Sequence, residues 1–535
     1  MVPTFTNSPY GLRATEGNMK PHGAHAVDVD PRASNLKAKS LRGGIVTMGF
    51  QAIDAVIRIG SIAILARVLM PADFGLVSMV TALTAIAEQF KDIGLSTATV
   101  QKKTISHEQL SKLFWINVIT GIAIAAFISA VSVPLAEFFR DTRLVYITIA
   151  IASGFVWSGA AIQHQALLRR QMKYTAIGAI QIGSTILSTG IATVLAFKGY
   201  GYWALVWREV FRNVFIAIGT WLLCRWTPGF PHKRTDVDDL LKFGGHLTAF
   251  NMIVFLMSSM DQVLIGKVYG AALLGIYRQA HQLVVWPVMQ LTVPLSRVAE
   301  PTLSFLQDSP ERYRQAYQRL VTIVSFVMMP LLLFAAIYSR EIVLLLLGDN
   351  WIDAAPIFRI LALAMFIRPA SDSTGLLLVT CGRTRRYLNL GVATGLILLL
   401  ALSIGVIWGP LGVAYGVLVA TYAVLALRLR YGLEGTPVNV RAFCRATEAP
   451  LVASAAMAVL LVMMNSFLTT SNPLAVLALA IPVSLGAYVL AWIIMPGGKA
   501  TLSELAKDFG VSLRLERPSA PLMTAFWKRA LWWQQ

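Results

Sequence analysis

The chain has 535 residues, of which 56% are hydrophobic and 14% charged, with a mean hydropathy of +0.64 and a formal net charge of +19. A soluble globular chain carries roughly 25% charged residues, and here apolar runs of about twenty residues recur at the length of a bilayer's hydrocarbon core. A soluble multidomain enzyme is therefore excluded, and the fold class expected is an all-α integral membrane protein of about fourteen transmembrane helices.

Residues 1 to about 40 are rich in Pro, Gly, Asn and His and have neither apolar periodicity nor a signal-peptide core, which predicts a disordered cytoplasmic leader. The stretch 41–224 holds spans expected near 44–66, 73–92, 114–136, 144–162, 175–197 and 201–223. A second stretch, 225–430, holds spans near 243–265, 271–294, 319–338, 354–380, 388–408 and 411–427. Helices 13 and 14 are expected within 431–496, near 449–468 and 473–495. The remainder, 497–535, reads as a cytoplasmic tail in which LMTAFWKRALWW (522–533) interleaves Trp, Phe and Leu with Lys528 and Arg529, the pattern of an interfacial helix.

Most of the 46 Lys and Arg fall in the leader, the tail and alternate loops, including Lys102-Lys103, Arg169-Arg170, Lys233-Arg234, Arg383 and Arg385-Arg386. The positive-inside bias then places both termini in the cytoplasm. This bias also explains the basicity, so nucleic-acid binding is not expected. The three cysteines, Cys224, Cys381 and Cys444, lie at cytoplasmic helix ends or loops, where no disulfide or metal framework is suggested.

Laid on itself at a shift of about 200 residues, the chain matches LRGG at 41 with LKFG at 241 and ARV at 66 with GKV at 266. Ala72 meets Ala272, and Gly75 meets Gly275. Each half starts with an outward-running helix and holds an even number of helices, so the halves share one membrane orientation. This is the parallel-repeat plan of several secondary transporters.

Polar residues recur at matching places in the two halves. Gln51, Asp54, Arg58 and Ser61 share one face of the first helix, and Asn251, Ser258 and Asp261 recur on the seventh. Ser78 and Thr81 of the second helix are matched by Arg278 and His281 of the eighth. Arg208 and Arg212 share a face of the sixth helix, and the tenth carries Arg359, Arg368 and Asp372. Lipid would not tolerate such faces, so they are expected to line a wet interior between the halves.

Two readings of these arginines stay open. They hold an anionic ligand, since guanidinium stays charged at low dielectric and grips phosphate or carboxylate bidentately. Alternatively they are neutralised structurally, Asp54 by Arg58, Asp372 by Arg368, and Glu209 by Arg208 or Arg212. Asp54, Asp261 and Asp372 are candidates for binding a coupling proton or sodium ion, or for acting as counter-ions. His281 alone is weak evidence for proton coupling.

Several strings resemble the polysaccharide transport family of oligosaccharide-lipid flippases, the Wzx-type branch of the MOP exporter superfamily. They are RVLMPADFG (67–75), IGLSTATVQ (93–101), ALLRRQMKY (166–174), GYGYWALVW (199–207), MDQVLIGKVYGAALLGIY (260–277) and SRVAEPTLSFLQDSPERYRQAY (296–317). The resemblance implies two six-helix lobes around a cationic cavity, followed by two extra helices. It also implies a substrate of sugars on a polyprenyl pyrophosphate carrier, with polysaccharide polymerase and co-polymerase as further partners beside the membrane lipids. Arg58 and Arg278 fit the cavity arginines of the family's first and eighth helices, whereas Arg208, Arg212, Arg359 and Arg368 rest on the residue argument alone.

Three other functions are set against this one. A drug or cation exporter of the same superfamily predicts an acidic cavity, against the arginine excess. A membrane-embedded polysaccharide polymerase or ligase needs catalytic residues on a substantial external loop, and the longest expected here, REIVLLLLGDNWIDA near 339–353, is mostly apolar. A structural scaffold has no need of midplane arginines. No GxxxxGK[ST] loop is present, so nucleotide-driven transport is not expected, and no cofactor is called for.

Overall fold

The computed structural model describes residues 33–88, 90–91, 96, 99–100, 105–230, 260–467 and 472–508, and among these every regular element is helical. In chain order the helices are α1 (Ala33–Val68), α2 (Pro71–Glu88), α3 (His107–Ala130), α4 (Ser132–Phe139), α5 (Arg143–Arg170), α6 (Tyr174–Phe197) and α7 (Tyr202–Cys224). There follow α8 (Met260–Phe305), α9 (Pro310–Ile337), α10 (Ser339–Leu346), α11 (Ala354–Met365), α12 (Arg368–Thr380), α13 (Thr384–Gly405), α14 (Gly409–Leu427), α15 (Val440–Phe467), α16 (Pro473–Ile494) and α17 (Gly498–Asp508).

Local chemistry sets the boundaries. At the start of α3, Ser106 accepts from the Gln109 amide at 3.2 Å while the Gln109 side chain accepts from the Ser106 amide at 3.3 Å, closing a capping box. Proline opens α2, α9 and α16, where a missing amide hydrogen costs nothing. Helix α8 is two limbs joined at Gly270, whose φ of +77° lies in the region that favours glycine. Pro287, Pro294 and Pro301 all lie inside it.

Among the described residues, nine stretches are long and apolar enough to cross a membrane, and one of them contains both α13 and α14. Large apolar side chains such as Ile119, Phe127, Leu396, Leu400, Val459 and Ile494 stand exposed on their outer faces, as lipid contact requires. Two helices outside that group, α7 and α8, carry several charges each, including Arg208, Glu209 and Arg212 on α7 and Asp261, Lys267 and Arg278 on α8. The chain is thus a multi-pass, all-helical membrane protein.

Some boundaries differ from the sequence expectation. Helix α1 begins at Ala33, inside the segment expected to be a leader. The eighth span runs on through Pro294 and Pro301 to Phe305, because neighbouring helices shelter the freed carbonyls that would stop a helix in water. The span expected over 354–380 is one apolar stretch built of two helices, α11 and α12, with a short turn at Phe366 and Ile367 between them. The expected external segment after Ile337 contains α10, and the polar tail begins with α17. Asn251, Ser258, Lys102-Lys103, Lys233-Arg234 and the tail motif at 522–533 lie outside the described residues.

Packing sorts the helices into two groups. Helices α3, α5, α6 and α7 pack together with α1 on α6, while α8, α9, α11 and α14 form a second group with α13 on α14. The pair α15–α16 leans on the second group through α9 and α10. The groups meet where α2 crosses α8.

At that crossing, a Cβ added to Gly75 would run into the Ala271 carbonyl, and one added to Gly275 would run into the Pro71 carbonyl. The repeat register pairs Gly75 with Gly275 and Pro71 with Ala271, so each half offers the same surface to the other. Glycine lets the two backbones come this close.

The remaining close contacts between the groups gather at the same end, where α1 turns into α2. Arg67 donates to the Leu345 carbonyl at 2.9 Å, and the Trp351 indole donates to the Ala66 carbonyl at 2.8 Å. Trp351 also packs edge-on against Phe74, with ring centroids 5.2 Å apart. Lys267 donates to the Phe138 carbonyl and sits 4.4 Å from the centroid of that ring.

Candidate functional site

The polar stripes face each other below this closed end. On α1, Asp54 and Arg58 are one turn apart, and the Arg58 Nε lies 2.7 Å from the Asp54 carboxylate. The other Asp54 oxygen accepts from the Thr185 hydroxyl of α6 at 3.0 Å, and Ser61 pairs with Thr189 at 3.2 Å. The polar face of α1 is therefore matched by one on α6, so it does not meet lipid.

Spacing along α7 puts Arg208, Glu209 and Arg212 within one turn. Arg212 donates to Glu209 at 2.8 Å. Charge interactions join Arg208 to Glu209, Arg212 and Arg58, and join Arg212 to Glu88 and Asp54. No carboxylate pairs with Arg208 at ion-pair distance among the described residues, and its side chain is half-buried.

The break at Gly270 folds the two limbs of α8 together. Tyr277 donates to the Asp261 carboxylate at 2.9 Å, Asp261 accepts from the Gln262 amide at 2.8 Å, and Arg278 donates to the Gln262 side-chain carbonyl. Arg278 is held by a neutral partner while its charge interacts with Asp261 and, across the two groups, with Glu209. His281 stacks on Tyr277 and interacts with Asp261, Arg278 and Arg368.

Asp372 has two cationic neighbours. Arg368 lies 3.6 Å away, and Arg428 makes the closer pair from the π-helical turn Arg428–Gly432. Arg428 also donates to Ser371 at 3.4 Å.

The structure thus brings Arg58, Arg208, Arg212, Arg278 and Arg368 into one electrostatic network with Asp54, Glu209 and Asp261. It does not bring Arg359 there. Arg359 donates to Ser339 at 3.1 Å and lines a separate pocket with residues of α9 and α15.

Sequence reading missed several members. Thr185 and Thr189 were available as an i,i+4 polar pair on α6, but neither is charged. Gln262 and Tyr277 escape because they meet Arg278 and Asp261 only through the reversal at Gly270. Arg428 lies just past the twelfth expected span, where only the wider π-helical turn brings it to Asp372.

Chemically the site offers cations whose acids are largely occupied. Asp54 is engaged by Arg58 and Thr185, Glu209 by Arg212, Asp261 by Tyr277, and Asp372 by Arg428 and Arg368. Arg208 and Arg278, one from each group of helices, have no carboxylate at hydrogen-bond distance among the described residues. Such a pair suits an anion inserted between the groups. No cluster of three or more metal-ligating side chains occurs among the described residues.

Residues 64–356 match the family model described as polysaccharide biosynthesis protein. The teichuronic acid biosynthesis protein TuaB of Bacillus subtilis is 26% identical over 430 residues, covering 79% of this chain and 88% of that protein. The lipopolysaccharide biosynthesis protein WzxC of Escherichia coli is 26% identical over 72% of this chain and 79% of its own length. The succinoglycan biosynthesis transport protein ExoT of Rhizobium meliloti is 24% identical over 66% and 70%.

Among solved structures, an inward closed conformation of the lipid II flippase MurJ aligns with a TM-score of 0.66, at 11% identity, over 86% of this chain and 99% of that one. An inward-facing multidrug resistance MATE transporter of the MOP superfamily aligns at 0.52, with 12% identity over 75% and 99%. These two likenesses show a shared fold.

Proposed function

We propose that this chain, which belongs to the polysaccharide biosynthesis protein family, is a flippase that carries polyprenyl-pyrophosphate-linked oligosaccharide repeat units across the bacterial inner membrane for exopolysaccharide, capsule or O-antigen synthesis. The observation that carries this reading is the pair Arg208 and Arg278, one from each group of helices, both joined by charge to Glu209 and neither with a carboxylate at hydrogen-bond distance among the described residues. Support also comes from relatives whose names place them in polysaccharide biosynthesis or transport. The reading is a carrier and not an enzyme.

Unassisted crossing would drag a pyrophosphate and hydrated sugars through hydrocarbon, at a cost on the order of ten kcal/mol or more. The arginine network offers a substitute solvent while the polyprenyl tail stays in lipid. Both termini are read as cytoplasmic, in a plan of fourteen spans arranged as two six-helix lobes with α15 and α16 appended. On that orientation, the closed end formed by Arg67, Trp351, Lys267 and the α2–α8 crossing faces outward, so the cavity takes up its head group from the cytoplasm. Rocking of the lobes then parts the Gly75–Gly275 crossing and exposes the sugars outside, where polymerase and co-polymerase use them.

Arginines alone give no direction to net transport. Removal of product, or a proton or sodium ion taken up on Asp54, Asp261 or Asp372, sets it.

The test in cells is to replace the chromosomal copy with Arg208→Ala/Arg278→Ala and to measure surface polymer together with the carrier-linked repeat unit. Loss of polymer with accumulation of the linked unit, at native protein level in the membrane, is the expected result. Normal export would end the proposal. Flipping that persists unchanged in vesicles with both ion gradients collapsed would remove the coupled-ion part.

A further inference from the structure

Arg359 stands apart from the central network, in a pocket of about 380 Å³ where α9, α11 and α15 come together. Each helix contributes one stripe at helical spacing: Leu333, Ala336 and Ile337 from α9, Arg359 and Leu363 from α11, and Val462, Asn465 and Ser466 from α15.

Asn465 and Ser466 lie in the last turn of α15 with Val462 about one turn deeper, while Arg359 stands midway along α11 with Leu363 one turn further on. The pocket therefore sets the polar Arg359, Asn465 and Ser466 beside the apolar Leu333, Leu363 and Val462, the two kinds of surface that a lipid head group and chain require.

It lies at the same end as the closure between the helix groups, since the Ser339 that binds Arg359 opens α10 and Leu345 of α10 receives Arg67. Only the Arg359 Nε is engaged, by the Ser339 hydroxyl, and no carboxylate pairs with the guanidinium among the described residues. Its two terminal nitrogens present the forked edge that suits a phosphate. An unpaired arginine at membrane depth would be costly unless something anionic meets it.

We infer that this pocket is a binding site for an anionic phospholipid, with the head-group phosphate on Arg359, Asn465 and Ser466 and an acyl chain against Leu333, Leu363 and Val462. The lipid would bridge the second helix group to the α15–α16 pair, acting as a wedge that holds the pair in place. This site is separate from the cavity between the helix groups, and it does not rest on the transport reading.

The measurement is lipid-dependent thermal stabilisation of the purified full chain in detergent, titrated with phosphatidylglycerol, phosphatidylcholine, inorganic phosphate or polyprenyl phosphate. Phosphatidylglycerol is expected to raise the melting midpoint, with phosphatidylcholine weaker and phosphate inert. Arg359→Ala should weaken apparent phosphatidylglycerol affinity by about tenfold or more, the size of a lost charge-assisted bond. Should that variant fold poorly, Asn465→Asp puts at an exposed rim position a carboxylate that repels the head-group phosphate and competes for Arg359, and it should produce the same loss of phosphatidylglycerol affinity.

Stabilisation retained at native affinity in both variants would overturn the assignment, as would an equal effect of inorganic phosphate, which would mark a free-anion site. Displacement of phosphatidylglycerol by equimolar polyprenyl phosphate would also overturn it and give the pocket to the carrier. Because the readout is lipid binding, it stands or falls independently of flipping.

Discussion

At the scale of single residues, the pair Arg58–Asp54 is bound on both sides, since Thr185 holds the second carboxylate oxygen. Arg58→Ala leaves that carboxylate with one neutral donor and should lower stability by about 1–3 kcal/mol. Adding Asp54→Asn should recover most of the loss. Melting of the single and double variants in detergent checks this, and a double variant no better than the single would show that the pair is not the source. The arginines and aspartates were legible in the sequence because charge inside an apolar run stands out. Their neutral partners Thr185, Gln262 and Tyr277 were not, because a hydroxyl or amide in a membrane helix signals nothing without a neighbour. Arg359 was legible as an intramembrane cation but not as a separate one, since spacing along α11 does not reveal which helices stand beside it.

At the scale of elements, the crossing of α2 and α8 depends on bare backbone at Gly75 and Gly275. Gly75→Ala and Gly275→Ala each drive a methyl into a carbonyl of the other half, so each should pry the groups apart at that end by a similar amount. Distances between spin labels placed across the closed end should widen in both variants, and an unchanged distribution would contradict the close approach. The turn between α4 and α5 makes a pH prediction. The Asp141 carboxylate accepts from the Arg143 guanidinium at 3.0 and 2.7 Å and from its amide at 3.0 Å, which holds it below the ordinary carboxylate range. A lowered carboxyl stabilises the fold at neutral pH, and the contribution is lost as pH falls through that folded value. Asp141→Asn should therefore lower stability at neutral pH and flatten the acid-side loss below about pH 4, as melting followed across pH would show. Span positions were readable from apolar length. The run of α8 through Pro294 and Pro301 was not, because it is decided by packing that satisfies carbonyls where water is absent.

At the scale of the whole molecule, the repeat seen at Gly75 and Gly275 becomes a self-complementary contact between the two groups of helices. Sequence gave the register but not the contact, since equivalence of two segments does not say that they touch. The proposed cavity rests on that closure at one end together with the charges of α1, α7 and α8 that interact across the two groups. The most direct test of this arrangement is the rate at which the purified chain in liposomes moves a polyprenyl-pyrophosphate-linked oligosaccharide between leaflets, native against Arg208→Ala/Arg278→Ala. Two charge-assisted contacts removed should slow movement about a hundredfold with the protein still folded. An unchanged rate would contradict a cavity that works through those arginines.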